Sequence, residues 1–388
     1  MAAFAEAPRP RKFDPFDPFG IIKGVIAGQE ALLRATSEQQ RRYKKWQEVL
    51  NRAPEKPQWA TPHKVIRDEK DENIRLLQFR KKYTGDQAPI VLVPPQAGHD
   101  SSIADRHPKK SQVRCAMENT DSAVFSLSWK PATQESKHKD IGDLVEEMHK
   151  SVEDIKKITG QDKVTLIGDC QGGWIATIYS ALYPENVNHL VVAGAPIDSH
   201  ASGSKIQRVA QTMPMSFFEN MVAEGNGNMP GKKMLEGFKN LNFVDHNFIK
   251  PLELLNHIDD DVYVEKYIFD DNWYRWTQDS PGAFYLQTVK EVFRENRLVA
   301  KKLKDKMVLK GRVVDLKNIT MPLTLVAGET DDITPPDDVF NMRFAVGTPA
   351  KNIVQKIAKG GHLGLFSGTY SIQHIWPDVM KQAASITR

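Results

Sequence analysis

Two cysteines in 388 residues are too few for a disulfide framework, and so small a count fits a reducing compartment. Charge is scarce in the net: 53 Lys and Arg stand against 49 Asp and Glu, leaving +4. That excludes the strongly basic footprint of a nucleic-acid binder, although a pI near 8.7 leaves room for an anionic substrate or surface. No apolar run reaches membrane-spanning length and no secretory signal is evident, so a cytoplasmic protein is expected. No histidine, cysteine or acidic cluster has metal-ligand spacing. The one Gly-rich stretch, GNGNMPG at 225–231, lacks the Lys-Ser/Thr ending of a phosphate-binding loop and reads as a turn. Internal repeats and low-complexity tracts are absent too. What remains is 40% apolar and 26% charged, a globular composition long enough for one large domain with an insertion, or for two.

Residues 1–60 differ from the rest. After the Pro-rich RPRKFDPFDPFG, the residues Ile22, Val25, Ile26, Leu32 and Leu33 recur at three- and four-residue spacing, the signature of one helical face. TSEQQ offers caps for a second helix carrying Tyr43, Trp46, Val49 and Leu50, and APEKPQWATP reads as a linker. From residue 61 the pattern is α/β. KVIRDE and IRLLQFRKK suggest a hairpin, and APIVLVPPQAGH, AVFSLSW, KVTLIGDC and VNHLVVAGAP are strands. A helix over 141–158 and another at GGWIATIYSALYP alternate with them, so a mostly parallel sheet flanked by helices is predicted. Residues 197–310 break the alternation and read as a mostly helical cap. The sheet resumes with MPLTLVAGE and NIVQKIAKGG, before a closing helix near 371–385. The expected organisation is therefore an arm and linker (1–60), a core in two parts (61–196 and 311–388) and an inserted cap (197–310).

Within LIGDCQGGW, Cys170 is bracketed by Gly168 and Gly172 between a strand and a helix. This is the cysteine form of the nucleophile elbow. The turn exposes residue 170, and the following helix aims its N-terminus at the thiol, favouring thiolate and any nearby oxyanion. The Gln171 backbone N–H is then the natural first oxyanion donor. Cys115, in SQVRCAMEN, has no such setting and reads as structural. A base and an orienting acid should follow, acid first. Asp331, in GETDDITPP at a strand end, is the preferred acid over its neighbour Asp332. His362, in KGGHLGLF after one more strand, is the base; none of the other ten histidines has this placement. The second oxyanion donor is expected on the loop VPPQAGHDSS, from Gln96 or Ala97. His99 on that loop is read as a loop or substrate-lining residue rather than a catalytic one.

Here the chain resembles the polyhydroxyalkanoate synthases, especially their short catalytic subunits. GDCQGG matches their G-x-C-x-G-G box. YIFDDNWYRWTQDSPGAFYLQTVKEVFRENRLV, LKGRVVDLKNITMPLTLVAGETDDITPP and GGHLGLFSG follow in a similar order. The resemblance spans about 60–388. It implies an α/β-hydrolase fold, Cys170 as acyl carrier, Asp331 and His362 as its partners, 3-hydroxyacyl-CoA substrates, and often a homodimer. Trp174, where the family has a small or hydroxyl residue, and Trp273 of the aromatic cap become candidate substrate contacts. No resident cofactor is implied, because CoA leaves with the substrate. The arm at 1–60 is expected to pack on the body or in an oligomer; the alternative is docking to the surface of a polyester inclusion, and the arm either replaces or binds a helical partner subunit.

The thiol itself suits acyl transfer. A thiolate that attacks a CoA thioester makes another thioester, so the acyl group stays activated for an alcohol acceptor. The expected activity is acyl transfer of the synthase type. A cysteine-dependent hydrolase of thioesters, esters or stored polymer differs only in its acceptor, and a non-catalytic scaffold is the third reading.

Overall fold

The computed structural model describes residues 18–33, 37–80, 87–242 and 245–385, with backbone alone at 18–22 and 31–33. The Pro-rich start through Asp17 and the side chains of Ile22, Leu32 and Leu33 lie outside the described residues.

The described chain divides into two units. One takes Met1–Ala53 with Phe243–Asp271, the other Pro54–Asn242 with Asn272–Arg388. The region expected as a single cap, 197–310, is thus shared between them. The smaller unit holds α1 (Pro18–Leu33) and α2 (Ser37–Asn51). The apolar stripe of α2 explains its packing. Val49 is buried with Leu254, Ile258 and Val264, and Trp46, Leu50 and Tyr263 lie against them. Trp46 Nε1 donates to Pro251 O at 2.7 Å, which satisfies the polar tip of a half-buried ring. Arg41 and Arg42 both pair with Asp259, at 2.7 and 2.9 Å.

The larger unit is built on eight strands: β1 (Lys64–Arg67), β2 (Ile74–Gln78), β3 (Ile90–Val93), β4 (Val124–Trp129), β5 (Val164–Asp169), β6 (Val187–Ala193), β7 (Leu323–Gly328) and β8 (Ile353–Ala358). Their order across the sheet is β1-β2-β4-β3-β5-β6-β7-β8. Only β1–β2 and β2–β4 are antiparallel; every pairing from β4 to β8 is parallel. This order, with a sharp turn after β5, is the α/β-hydrolase fold. Strands β3, β5, β6 and β7 are buried along their whole length, which is why they read as mostly apolar runs. Behind them lie α3 (Ile141–Thr159) and α4 (Gln171–Leu182). Asp140 and Asp143 form a capping box at the start of α3, and Gly160 closes it at φ 67°. Every residue of α4 is buried, so the helix behind the elbow is a rod set in the core.

One local reading changes and another holds. Residues 369–384 form two short helices, Thr369–His374 and Trp376–Ala384; Pro377 has no N–H to carry one helix through. GNGNMPG is a turn at Asn226 (φ 54°) and Gly227 (φ 97°). It runs into a two-residue strand that pairs with Ser280–Pro281.

Candidate active site

The elbow is strained and its surroundings hold it. Cys170 has φ 49° and ψ −119°, a region that costs a non-glycine residue about 1–3 kcal/mol. Its N–H donates to Ala193 O at 2.8 Å, and its carbonyl accepts from Gly173 N at 2.9 Å. A Cβ at Gly172 would sit 1.8 Å from Val93 O, and one at Gly168 would sit 2.5 Å from Gly173 Cα. Helix α4 can approach strands β3 and β5 this closely only without those carbons.

Asp331 and His362 meet beside the thiol. Asp331 is 4% exposed, and its Oδ2 lies 2.7 Å from His362 Nδ1. Its Oδ1 accepts from the N–H groups of Ile333 and Thr334, at 3.0 and 2.9 Å. Asp332, the competing acid, is exposed and pairs with Lys205. The His362 side chain is 10% exposed. Burial pulls its pKa down, but the Asp331 carboxylate and the neighbouring Cys170 sulfur hold it well above its ordinary value. The arrangement can carry a proton between a thiol and a second reactant.

A residue that the sequence reading passed over completes this pair. The Thr334 hydroxyl lies 2.7 Å from Gly194 O, 3.0 Å from Asp331 Oδ2 and 3.1 Å from His362 Nδ1. Its signal is the Asp-x-x-Thr spacing of a side-chain-closed turn. Asp169 was also passed over. It is fully buried, and Gln112 Nε2 donates to its Oδ1 at 3.1 Å. Its Oδ2 has no partner among the described residues. Burial pushes this carboxyl up to about 8, against the Gln112 bond and the charge of His362.

The loop after β3 is tied down more tightly than expected. Gln96 N and Ala97 N both donate to Gln171 Oε1, each at 2.8 Å. The two expected second oxyanion donors are therefore already bonded to a side chain. On the other side, segment 273–279 clamps the loop. Gln278 N donates to Gly98 O and Gln278 Nε2 to His99 O, both at 2.9 Å. Trp273 Nε1 donates to Asp100 O at 3.0 Å, and Gln96 Nε2 to Asp279 O at 3.1 Å.

His99 and Trp273 belong to this clamp. The His99 ring stacks on Trp273 and Tyr274 at 5.0 and 5.5 Å. Its Nδ1 faces Ala97 O at 3.0 Å and its Nε2 faces Tyr274 O at 3.1 Å. Burial lowers its pKa against these two carbonyls. His99 and Trp273 are 7% and 4% exposed, so both brace the loop from beneath. Trp174, expected at the substrate, is 1% exposed. It stacks on Phe284 at 5.8 Å, because α4 turns this position into the core. Cys115 is buried too, and burial pushes its thiol up to about 12, too high for a nucleophile at neutral pH. Among the described residues no group of His, Cys, Asp and Glu could hold a metal ion, and no helix is long and apolar enough to cross a membrane.

A model of the family DUF3141, described as a protein of unknown function, matches residues 75–376. Among curated proteins, the chain is 26% identical over 321 residues to the poly(3-hydroxyalkanoate) polymerase subunit PhaC of Haloferax mediterranei, covering 82% of this chain and 63% of that protein. The chain thus spans less than two thirds of the length of this relative. It is 25% identical over 263 residues to the subunit of the same name from Allochromatium vinosum, covering 68% of this chain and 71% of that one. Among solved structures, an epoxide hydrolase of Bacillus megaterium matches with a TM-score of 0.47 and 18% identity, over 80% of this chain and 96% of that one.

Proposed function

The chain belongs to the DUF3141 family, and we propose that it is an acyltransferase of the polyhydroxyalkanoate synthase type, with Cys170 as nucleophile, His362 as base and Asp331 as the group that orients the base. The observation that carries this reading is the strained Cys170 turn beside a His362–Asp331 pair 2.7 Å apart. Its curated relatives, named as poly(3-hydroxyalkanoate) polymerase subunits, support the same class of reaction.

The proposed steps use these residues alone. The Cys170 sulfur attacks the carbonyl carbon of a 3-hydroxyacyl-CoA, and its proton resides on His362. The tetrahedral oxyanion takes a hydrogen bond from Gln171 N–H, which, as the first residue of α4, has no carbonyl one turn back to bond. The C–S bond to CoA breaks, and CoA leaves with the proton from His362. An acyl-S-Cys170 thioester remains. His362 then takes the proton of an incoming 3-hydroxyl group. The oxygen attacks the thioester, an ester forms, and the Cys170 sulfur departs. Asp331 holds the imidazole with Nδ1 protonated and steadies its positive form. No resident cofactor enters, and CoA is only the leaving group.

The experiment is to follow CoA release from 3-hydroxybutyryl-CoA and identify the acyl product by mass spectrometry, with Cys170→Ala as control. Oligomeric or polymeric 3-hydroxybutyrate, absent with Cys170→Ala, is the expected result. Free 3-hydroxybutyrate would make water the acceptor and the protein a hydrolase. CoA release that survives Cys170→Ala would remove Cys170 from the reaction.

A further inference from the structure

We propose that the side-chain amide of Gln171, and not a backbone N–H of the 94–98 loop, supplies the second hydrogen bond to the acyl oxyanion. The proposal rests on acyl transfer at Cys170. In this fold the second donor is ordinarily a backbone N–H of the loop after β3. Here the two candidates, Gln96 N and Ala97 N, both converge on Gln171 Oε1 at 2.8 Å. Those donors are spent.

The same two bonds settle which way the amide faces. Only an oxygen can accept from two N–H groups, so the Gln171 Nε2 end must point elsewhere. Gln171 is nearly buried, at 9% exposure, and its Nε2 donates to nothing among the described residues. An unused amide donor thus stands one residue from the nucleophile. Two hydrogen bonds onto Oε1 polarise the carboxamide and strengthen its N–H groups as donors. They also hold the side chain in place, so it needs no reorganisation as charge develops. The loop behind it is itself fixed by Gln278 and Trp273. Gln171 would then give the oxyanion both its backbone N–H and its side-chain N–H, with the loop acting as an anchor for the amide.

Gln171→Glu separates the two roles. A carboxylate still accepts from Gln96 N and Ala97 N, so the loop stays anchored, but it has no N–H to give. Gln171→Met removes the donor without adding charge. The readout is kcat and KM for CoA release from 3-hydroxybutyryl-CoA, with melting temperature alongside. Both variants are expected to lose about 100-fold or more in kcat, the scale of one lost oxyanion donor, with KM within about twofold. Gln171→Glu should keep the wild-type melting temperature. If Gln171→Glu, which keeps the loop donors engaged, turns over within about threefold of wild type while Cys170→Ala is dead, the amide is not a donor and this inference alone fails. If Cys170→Ala also turns over, the acyl-transfer reading itself has failed.

Discussion

The Nδ1 atom of His362 lies 2.7 Å from Asp331 Oδ2, whereas Asp332, next in sequence, turns outward to Lys205. Two adjacent carboxylates therefore have separate tasks. Asp331→Asn should keep the turn, because an amide oxygen still accepts from Ile333 and Thr334, but it replaces the acceptor that fixes the imidazole tautomer. A loss of kcat of about 10² to 10⁴ is expected. Asp332→Asn removes only an exposed ion pair, of value about 0–1 kcal/mol, and should leave kcat within twofold. Steady-state kinetics on the two variants checks the assignment.

The His362–Asp331 pair also sets a pH dependence. The folded pKa of His362 is raised above the ordinary value of about 6.5. Its contribution to stability is therefore fully present below about pH 6.5 and is lost as pH rises through the folded value. The stability gap between wild type and His362→Gln should be widest near pH 6 and narrow on the alkaline side. Chemical denaturation across pH 5.5–9 measures it. An NMR titration of the His362 ring should give a midpoint above 6.5 that falls in Asp331→Asn.

Asp169 predicts a slope of the same sign from a carboxyl group. Burial moves its pKa up to about 8, against an ordinary value of about 3.9. The folded state therefore holds a proton that the unfolded chain has given up. The cost to stability grows from about pH 4 to pH 8 and is constant beyond. Asp169→Asn keeps Oδ1 as the acceptor for Gln112 and never ionises. It should gain stability over wild type as pH rises from 5 to 8, by at least about 1 kcal/mol across that range. A gap that does not change with pH would mean that Asp169 is ionised throughout.

The sheet was legible because its central strands are mostly apolar and buried on both faces, and the elbow because Gly-x-Cys-x-Gly falls between a strand and a helix. Asp331 was preferred over Asp332 from its place at the strand end, but the turn closed by Thr334, which separates their roles in the structure, was not legible. Trp174 was expected at the substrate because it stands where the family has a small or hydroxyl residue, and it is instead buried in the core. A helix buried on every side offers no local sign of which residues face the site. The grouping of Phe243–Asp271 with the N-terminal helices depends on contacts some 200 residues apart, such as Trp46 with Pro251. No periodicity within either segment reveals such a contact. Gln171 was chosen for its backbone; its side-chain partners lie 74 and 75 residues away.

Gly172→Ala tests the geometry of the elbow. The added carbon would meet the backbone oxygen Val93 O at 1.8 Å, and no flexible side chain is there to move aside. The strand–helix approach must open, at a cost of about 3 kcal/mol. A lower melting temperature and a lost turnover are expected together. Gly364→Ala, where a Cβ meets nothing within 4 Å, is the control and should change neither.

The clamp on the loop after β3 yields the last prediction. Gln278 Nε2 donates to His99 O at 2.9 Å in a buried setting. Gln278→Ala leaves that carbonyl without its donor, at a cost of about 1–3 kcal/mol, and loosens the loop that anchors the Gln171 amide. Cys170 itself is held from the other side, by Ala193 O, and its partner His362 is held by Asp331. The thiol should therefore react with iodoacetamide at the wild-type rate in Gln278→Ala, while kcat for CoA release falls about tenfold. A parallel fall in both rates would place the damage at the elbow. An unchanged kcat would mean that the 273–279 segment braces the fold without positioning the loop for the reaction.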